Sequence, residues 1–180
     1  MSMISLPTAK EFLQITHLKE DTVLQIMIDA CEEWVAKQCG ILLHASTIPS
    51  RSDYCDGGYK YLRTPYHPIT ALTKIYDRTD EADLESDDYC WDEWKAWYED
   101  GAFFDAGDKR FYVTYKAGYT YATCPAGLKM IILNLIHRQY NKRGGVTMDS
   151  VLGASQNWEA LLSSDEWNTL RGYSYNLGIS

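Results

Sequence analysis

The 180-residue sequence carries a net charge of −8, and hydrophobic residues make up 46% of it and aromatics 13%. That apolar content is enough to offset the ordering entropy of one packed domain with decorations, which excludes wholesale disorder. The acidic balance excludes nonspecific attraction of the whole molecule to a phosphate backbone or an anionic membrane.

At the N-terminus, MSMISLPTAKEF lacks the apolar core of a signal peptide. The five cysteines, Cys31, Cys39, Cys55, Cys90 and Cys124, are odd in number and include no C-x-x-C pair. Synthesis in a reducing cytoplasm is expected. No stretch approaches the length of a bilayer span, so no membrane partner is expected.

Thr8-Ala9-Lys10-Glu11 has the capping-box form and predicts a short helix from Thr8 to about Ile15. A stronger helix is predicted from near Asp21. Leu24, Met27, Ile28, Cys31, Trp34 and Val35 share one face, and Gln25, Asp29, Glu32, Glu33 and Lys37 point away. Gly40 ends it as a left-handed C-cap.

From Thr47 to Lys116 the period changes to that of a small, mostly antiparallel sheet, as in Ile69 to Tyr76. Within it, Asp77 to Gly107 reads as an inserted acidic arm, a hairpin turning at Glu99-Asp100-Gly101. Between Asp77 and Asp105 stand twelve Asp and Glu against Arg78 and Lys95, a net −10 that leaves +2 for the rest of the chain. Its aromatics, among them Tyr89, Trp91, Trp94, Trp97, Tyr98, Phe103 and Phe104, are too many to be simply solvated.

Arg110 to Lys116 predicts a strand with Phe111, Val113 and Tyr115 on one side. Pro125 then opens a helix whose buried face is Leu128, Ile131, Ile132, Leu135 and Ile136, with Arg138, Lys142 and Arg143 at the C-terminal end of its dipole and Gly144 as its cap. This helix is expected to pack on the N-terminal pair. Beyond Gly145 the chain turns polar, with one short helix predicted at Ser163-Ser164-Asp165-Glu166 ahead of Trp167 and Leu170.

No pattern along the chain specifies a reaction. Gly57-Gly58 and Gly144-Gly145 lack the spacing and the lysine of a phosphate-binding loop and read as turns. Cys39, His44, Cys55 and His67 are ligand types that suit zinc, but their spacing is irregular and the plainer reading is packed or exposed side chains. Asp87, Asp88, Asp92 and Glu93 are dense enough for paired-carboxylate chemistry, yet such a run is more often a solvated or interface face. His137 beside Arg138 reads as dipole complementation, not a general base. Lys109-Arg110-Phe111-Tyr112 with Tyr115-Lys116 has the look of a base-stacking strand, but alternate residues face opposite sides, so sheet packing is the default. No catalytic, cofactor-binding or metal residue is assigned, no cofactor is expected, and the chain is not expected to be an enzyme.

The order of the elements carries more than any one motif. "PTAKEFLQI", "DTVLQIMIDACEEWVAKQCG", "YLRTPYHPITALTKIY" and "FYVTYKAGYTYATCPAGLKMIILNLIHRQY" together resemble the head-tail connector (adaptor) proteins of tailed bacteriophages, over roughly Leu6 to Gly144. The strand end at Val113, Tyr115, Ala117, Gly118 and Tyr119 and the helix start at Pro125, Leu128 and Lys129 carry the family's pattern.

The resemblance implies an α+β, mainly α-helical subunit: a small helical bundle in which an N-terminal helix pair packs on a helix near 125–143, with a small antiparallel β region. The adaptor core would span 1–144, with the insertion at about 77–107, and an extended arm would span 145–180. It implies a structural protein of the virion neck, made in the host bacterial cytoplasm, that docks as a ring of identical subunits, dodecameric in the family, on the portal protein. Double-stranded DNA would pass through its channel, without specific binding, toward the next neck or tail protein, a stopper or tail-completion protein.

Two departures from the family, the larger insertion and the longer tail, mark the candidate interaction residues. Trp158, Trp167, Leu170 and Tyr173 would anchor the arm in the portal, because buried aromatics dominate many interfaces; the alternative is a tail folded back over its own domain. Asp87, Asp88, Trp91, Asp92, Glu93, Trp94 and Trp97 would line the channel or contact neighbouring subunits. The competing reading from another class is a soluble binding module whose Trp-rich hairpin takes carbohydrate or peptide ligands.

Overall fold

The computed structural model describes residues 2–142 and 162–174. They form a mixed α+β protein, about 35% helix and 24% strand, and not a mainly helical one. The chain divides into two compact units. The first comprises Met1–Cys39, Leu43–Ser46 and Thr120–Ser180, the second Gly40–Leu42 and Thr47–Tyr119. The expected boundary at 144/145 lies outside the described residues.

The helical unit contains α1 (Leu6–Leu13), α2 (Asp21–Cys39), α3 (Ala126–Lys142) and α4 (Ser164–Tyr173). Helix α1 is capped by Ser5, whose Oγ accepts from the Thr8 amide at 3.3 Å, and not by Thr8 as the capping-box pattern predicted. Pro7 is consistent with the shift: proline is accommodated in the first helical turn, where its missing donor is not needed, so the helix starts three residues earlier. Helix α2 packs on α3, and Leu24, Ile28, Cys31 and Val35 of α2 and Leu128, Ile131, Ile132, Leu135 and Ile136 of α3 are all buried. Each fully buried aliphatic side chain of this kind contributes roughly 1.5–3 kcal/mol.

Glu32 departs from expectation. It is 7% exposed and turned inward, where its carboxylate accepts the amides of Met3 at 2.9 Å and Ile4 at 2.5 Å. Those two donors lie upstream of the first helical turn, and a buried amide left unpaired is costly, so a carboxylate on the adjacent helix face is drawn in.

Short strands β1 (Leu43–His44) and β8 (Tyr119–Thr120) lie where the chain passes between the units. The second unit is built on an antiparallel sheet of β2 (Ser50–Cys55), β3 (Ile69–Asp77), β4 (Ala82–Asp83) and β7 (Phe111–Ala117), in the order β2-β7-β3-β4. Alternation along β7 is strict: Phe111, Val113, Tyr115 and Ala117 are buried, and Tyr112, Thr114 and Lys116 face away. Ile69 and Ile75 of β3 and Cys55 of β2 join the buried side.

The acidic insertion covers this inner face. Its hairpin, β5 (Tyr89–Trp91) with β6 (Ala96–Tyr98), pairs Tyr89 with Tyr98 and Trp91 with Ala96. The hairpin turns at Asp92–Lys95, not at Glu99-Asp100-Gly101. Asp92 Oδ1 accepts the amides of Trp94 at 2.7 Å and Lys95 at 3.0 Å, a local side-chain turn that competes with any glycine signal downstream. Gly101, at φ +78°, still makes a turn, but one after the hairpin. Tyr89, Ala96 and Phe104 are buried with the sheet's inner residues, and Phe104 meets Phe111 edge-on at 5.2 Å.

Candidate interaction site

The root of the insertion is closed by one cation. Arg110, immediately before β7, reaches Asp77 at the end of β3 with Nε 3.0 and 2.9 Å from the two carboxylate oxygens. The same guanidinium reaches Asp80 at 3.2 Å and Asp105 at 3.1 Å. Burial pushes the Asp77 carboxyl up, but the Arg110 hydrogen bonds and the Thr79 and Asp80 amides outweigh it, so it ionises below the usual carboxylate range. Three of the insertion's twelve carboxylates are thereby neutralised in part.

Farther out, Asp87, Asp88, Glu99, Asp100 and Asp105 line an open groove of about 680 Å3, with Tyr98 in its wall and Phe103, 67% exposed, at its rim. Tyr98 stacks on Phe104 at 4.5 Å, so the groove lies on the inner-face side of the sheet, above the layer that covers the core. Asp87 and Asp88 thus fall in one groove. Asp92 and Glu93 do not join them: Asp92 is used by the hairpin turn, and the Glu93 carbonyl accepts the Ile69 amide at 2.8 Å.

The tryptophans divide in the same way. Trp94 stacks on the buried His67 with ring centroids 4.4 Å apart, and Trp97 carries the Lys95 ammonium 5.8 Å from its ring. Trp91 is 39% exposed. Trp94 and Trp97 thus have partners inside their own unit, and Trp91 is the more open of the three.

The opposite face of the sheet holds a feature the sequence reading missed. Cross-strand register places Tyr54 of β2, Tyr112 of β7 and Tyr76 of β3 in one row. Tyr54 and Tyr112 lie 4.9 Å apart, Arg78 sits over the Tyr54 ring at 5.2 Å, and Lys74 over Tyr76 at 5.8 Å. Lys116 is exposed two positions along β7 from Thr114. Each tyrosine has the parity opposite to the core residues of its strand, but only the pairing register shows that the three align.

In the helical unit, the C-terminal candidates are engaged locally. Ser163 and Glu166 form a reciprocal capping box at the start of α4. Glu166 also accepts Arg138 Nη1 at 2.6 Å, Arg138 Nη2 at 3.0 Å and Asn134 Nδ2 at 3.0 Å, which ties α4 to α3. Trp167 meets Trp34 edge-on at 5.8 Å, and Leu170 is buried, its carbonyl accepting from Cys39 Sγ at 3.7 Å. Tyr173 reaches toward Gly127 of α3. Trp158 lies outside the described residues.

The remaining chemical candidates are not assembled into a site. Cys55 is in the sheet core, Cys39 is buried at the end of α2, and His67 is covered by Trp94. Among the described residues, no group of three or more His, Cys, Asp or Glu is placed to hold a metal ion. His137 is exposed on α3, beside Asn141 and edge-on to Phe12. No described helix is long and apolar enough to cross a membrane.

Residues 3–59 match the family model described as "Phage gp6-like head-tail connector protein". The chain is thus similar in sequence to phage head-tail connectors. Its fold agrees over nearly its whole length with solved neck structures. A chain in the neck of an empty gene transfer agent particle, computed with C6 symmetry, superposes with a TM-score of 0.62 at 11% identity, covering 98% of this chain and 92% of that one. A chain of the native gene transfer agent virion gives 0.58 at 15% identity, covering 99% and 97%. One from the native neck computed with C12 symmetry gives 0.56 at 14% identity, with the same coverage. Among curated proteins, none matches the chain.

Proposed function

We propose that this chain is a structural head-tail connector of a phage-like particle, located in the neck. The observation that carries the proposal is that two independent signals coincide: a connector family match over residues 3–59 and a neck-subunit fold over nearly the whole chain. In this role identical subunits form a ring on the portal and extend the DNA channel toward the next neck or tail protein. Twelve is the proposed subunit number, and the C12 symmetry of one neck that contains a similar chain supports it. A conducting ring needs no reaction centre, and the groups described above form walls and clamps instead.

The helical unit is the proposed portal-facing part, a helical bundle extended by the arm at 145–180. Trp158, Trp167, Leu170 and Tyr173 remain the proposed anchors. Because Trp167 and Leu170 pack within their own unit, their use on a portal requires α4 to leave α2 and α3, which couples docking to breaking the Arg138–Glu166 pair.

The test is electron microscopy of this protein mixed with the portal complex from the same source, beside each component alone. A ring added coaxially to the portal is the expected result, weakened on deleting Val146 to Ser180. No added density under any salt condition overturns the connector reading.

A further inference from the structure

We infer that neighbouring copies of this chain join through the two opposite sides of the sheet unit, the tyrosine row of one copy seating on the acidic groove of the next. The inference rests on the ring proposed above and names the contact that closes it.

The two surfaces are complementary in charge and in kind. On the outer face, Tyr54, Tyr112 and Tyr76 form an aromatic row edged by Arg78, Lys74 and Lys116, with Tyr54 54% exposed. Among the described residues, the salt bridge made by these cations is Lys74 to Asp83 at 3.2 Å, an exposed pair that solvent screens. On the inner-face side, the groove offers carboxylates around Tyr98 and an exposed Phe103. Asp105 is partly neutralised by Arg110, but Asp87, Asp88, Glu99 and Asp100 have no salt-bridge partner among the described residues. An isolated groove with four uncompensated carboxylates repels itself, and an incoming Arg and Lys relieve that repulsion. The tyrosines supply rigid apolar area to meet Phe103, the residue type that dominates interface energies.

Geometry selects a second copy over another occupant. Both halves of the contact are carried by one chain, on opposite sides of one sheet. A contact between different surfaces of identical subunits is heterologous, and it closes into a ring when the rotation per step divides a full turn. The same arrangement sets the carboxylates of the groove, one part of the −10 segment, against cations of the neighbouring copy.

A charge-swap pair tests this. Arg78→Glu with Lys116→Glu reverses the outer face; Asp88→Lys with Glu99→Lys reverses the groove. All four residues are exposed, so the fold should survive. Sedimentation velocity of the full chain at low ionic strength and rising concentration is the readout. The unaltered protein is expected to self-associate, each double variant alone to associate about tenfold or more weakly, and an equimolar mixture of the two to recover association through alternating subunits. Misfolded variants could not rescue each other. A wild type that stays monomeric, a variant that associates normally, or a mixture that fails to recover overturns the inference. The connector reading is judged separately by density on the portal.

Discussion

Arg110 holds the buried Asp77 through two nitrogens, with Nε at 3.0 and 2.9 Å and Nη2 at 2.7 Å, and so closes the chain on itself across the whole acidic insertion. Asp77 is 3% exposed, which makes the pair unlike a surface salt bridge. Replacing Arg110 by Met leaves a buried carboxylate without its cation and is expected to cost about 3 kcal/mol. Asp105→Asn removes a partner that is 73% exposed and should cost under about 1 kcal/mol. Urea unfolding followed by tryptophan fluorescence compares the two, and equal losses would show that Asp77 is not the partner that matters.

Acid should undock α4 in a defined window. Burial raises the Glu166 carboxyl, but Arg138, the Ser163 amide and Asn134 outweigh it, and the net pKa falls from 4.5 to about 2. A carboxyl depressed in the folded state contributes stability above its ordinary pKa and loses it as pH falls through the folded value. The docking of α4 on α3 should therefore weaken progressively from about pH 4.5 down to about 2. Hydrogen exchange of the α4 amides measures it. Glu166→Gln should show raised exchange already at neutral pH; exchange equal to wild type at neutral pH would mean that apolar contacts alone hold the helix.

Gly57 is required by close approach and not by a special φ. Its amide donates to Gly107 at 2.9 Å, and a Cβ there would sit 1.8 Å from the Asp105 carbonyl oxygen and 2.9 Å from the Phe111 ring. Backbone cannot yield as a side-chain tip can, so Gly57→Ala should destabilise by about 3 kcal/mol by overpacking. Gly101→Ala meets nothing within 4 Å and pays only for its φ of +78°, about 1 kcal/mol. Thermal unfolding ranks the two, and the reverse order would rule out the steric account.

What the sequence disclosed follows from the range of the interaction involved. The faces of α2 and α3, the alternation of β7 and the helix start near Ser163 are set by neighbours a few residues apart, and local sequence pattern reports them. The tyrosine row needs β2, β3 and β7 in register over more than fifty residues, and parity alone leaves each tyrosine merely outward. The hairpin turn falls at Asp92–Lys95 because Asp92 replaces glycine by bonding the Trp94 and Lys95 amides, a contact that Glu99-Asp100-Gly101 masks with a stronger turn composition. The acidic groove was half legible: composition located its charge, but only folding separates Asp87 and Asp88 from Asp92, which the turn consumes.

The helix position of Glu32 predicts a solvent-facing side chain; buried against Met3 and Ile4, it reports instead on the N-terminal segment. Glu32→Ala strips the acceptors from the Met3 and Ile4 amides and is expected to cost about 2 kcal/mol. Its titration runs opposite to that of Asp77 and Glu166. Burial raises its pKa, and the two amides recover only part of that. An acid raised in the folded state binds its proton more tightly there, so its contribution to stability is greatest in acid and declines as pH climbs from the ordinary carboxylate range through the folded value. Glu32→Gln keeps one acceptor and removes the buried charge, so its stability relative to wild type should improve as pH rises toward neutrality. Paired urea unfolding curves at a series of pH values measure that difference, and a difference constant with pH would mean that Glu32 titrates as if exposed.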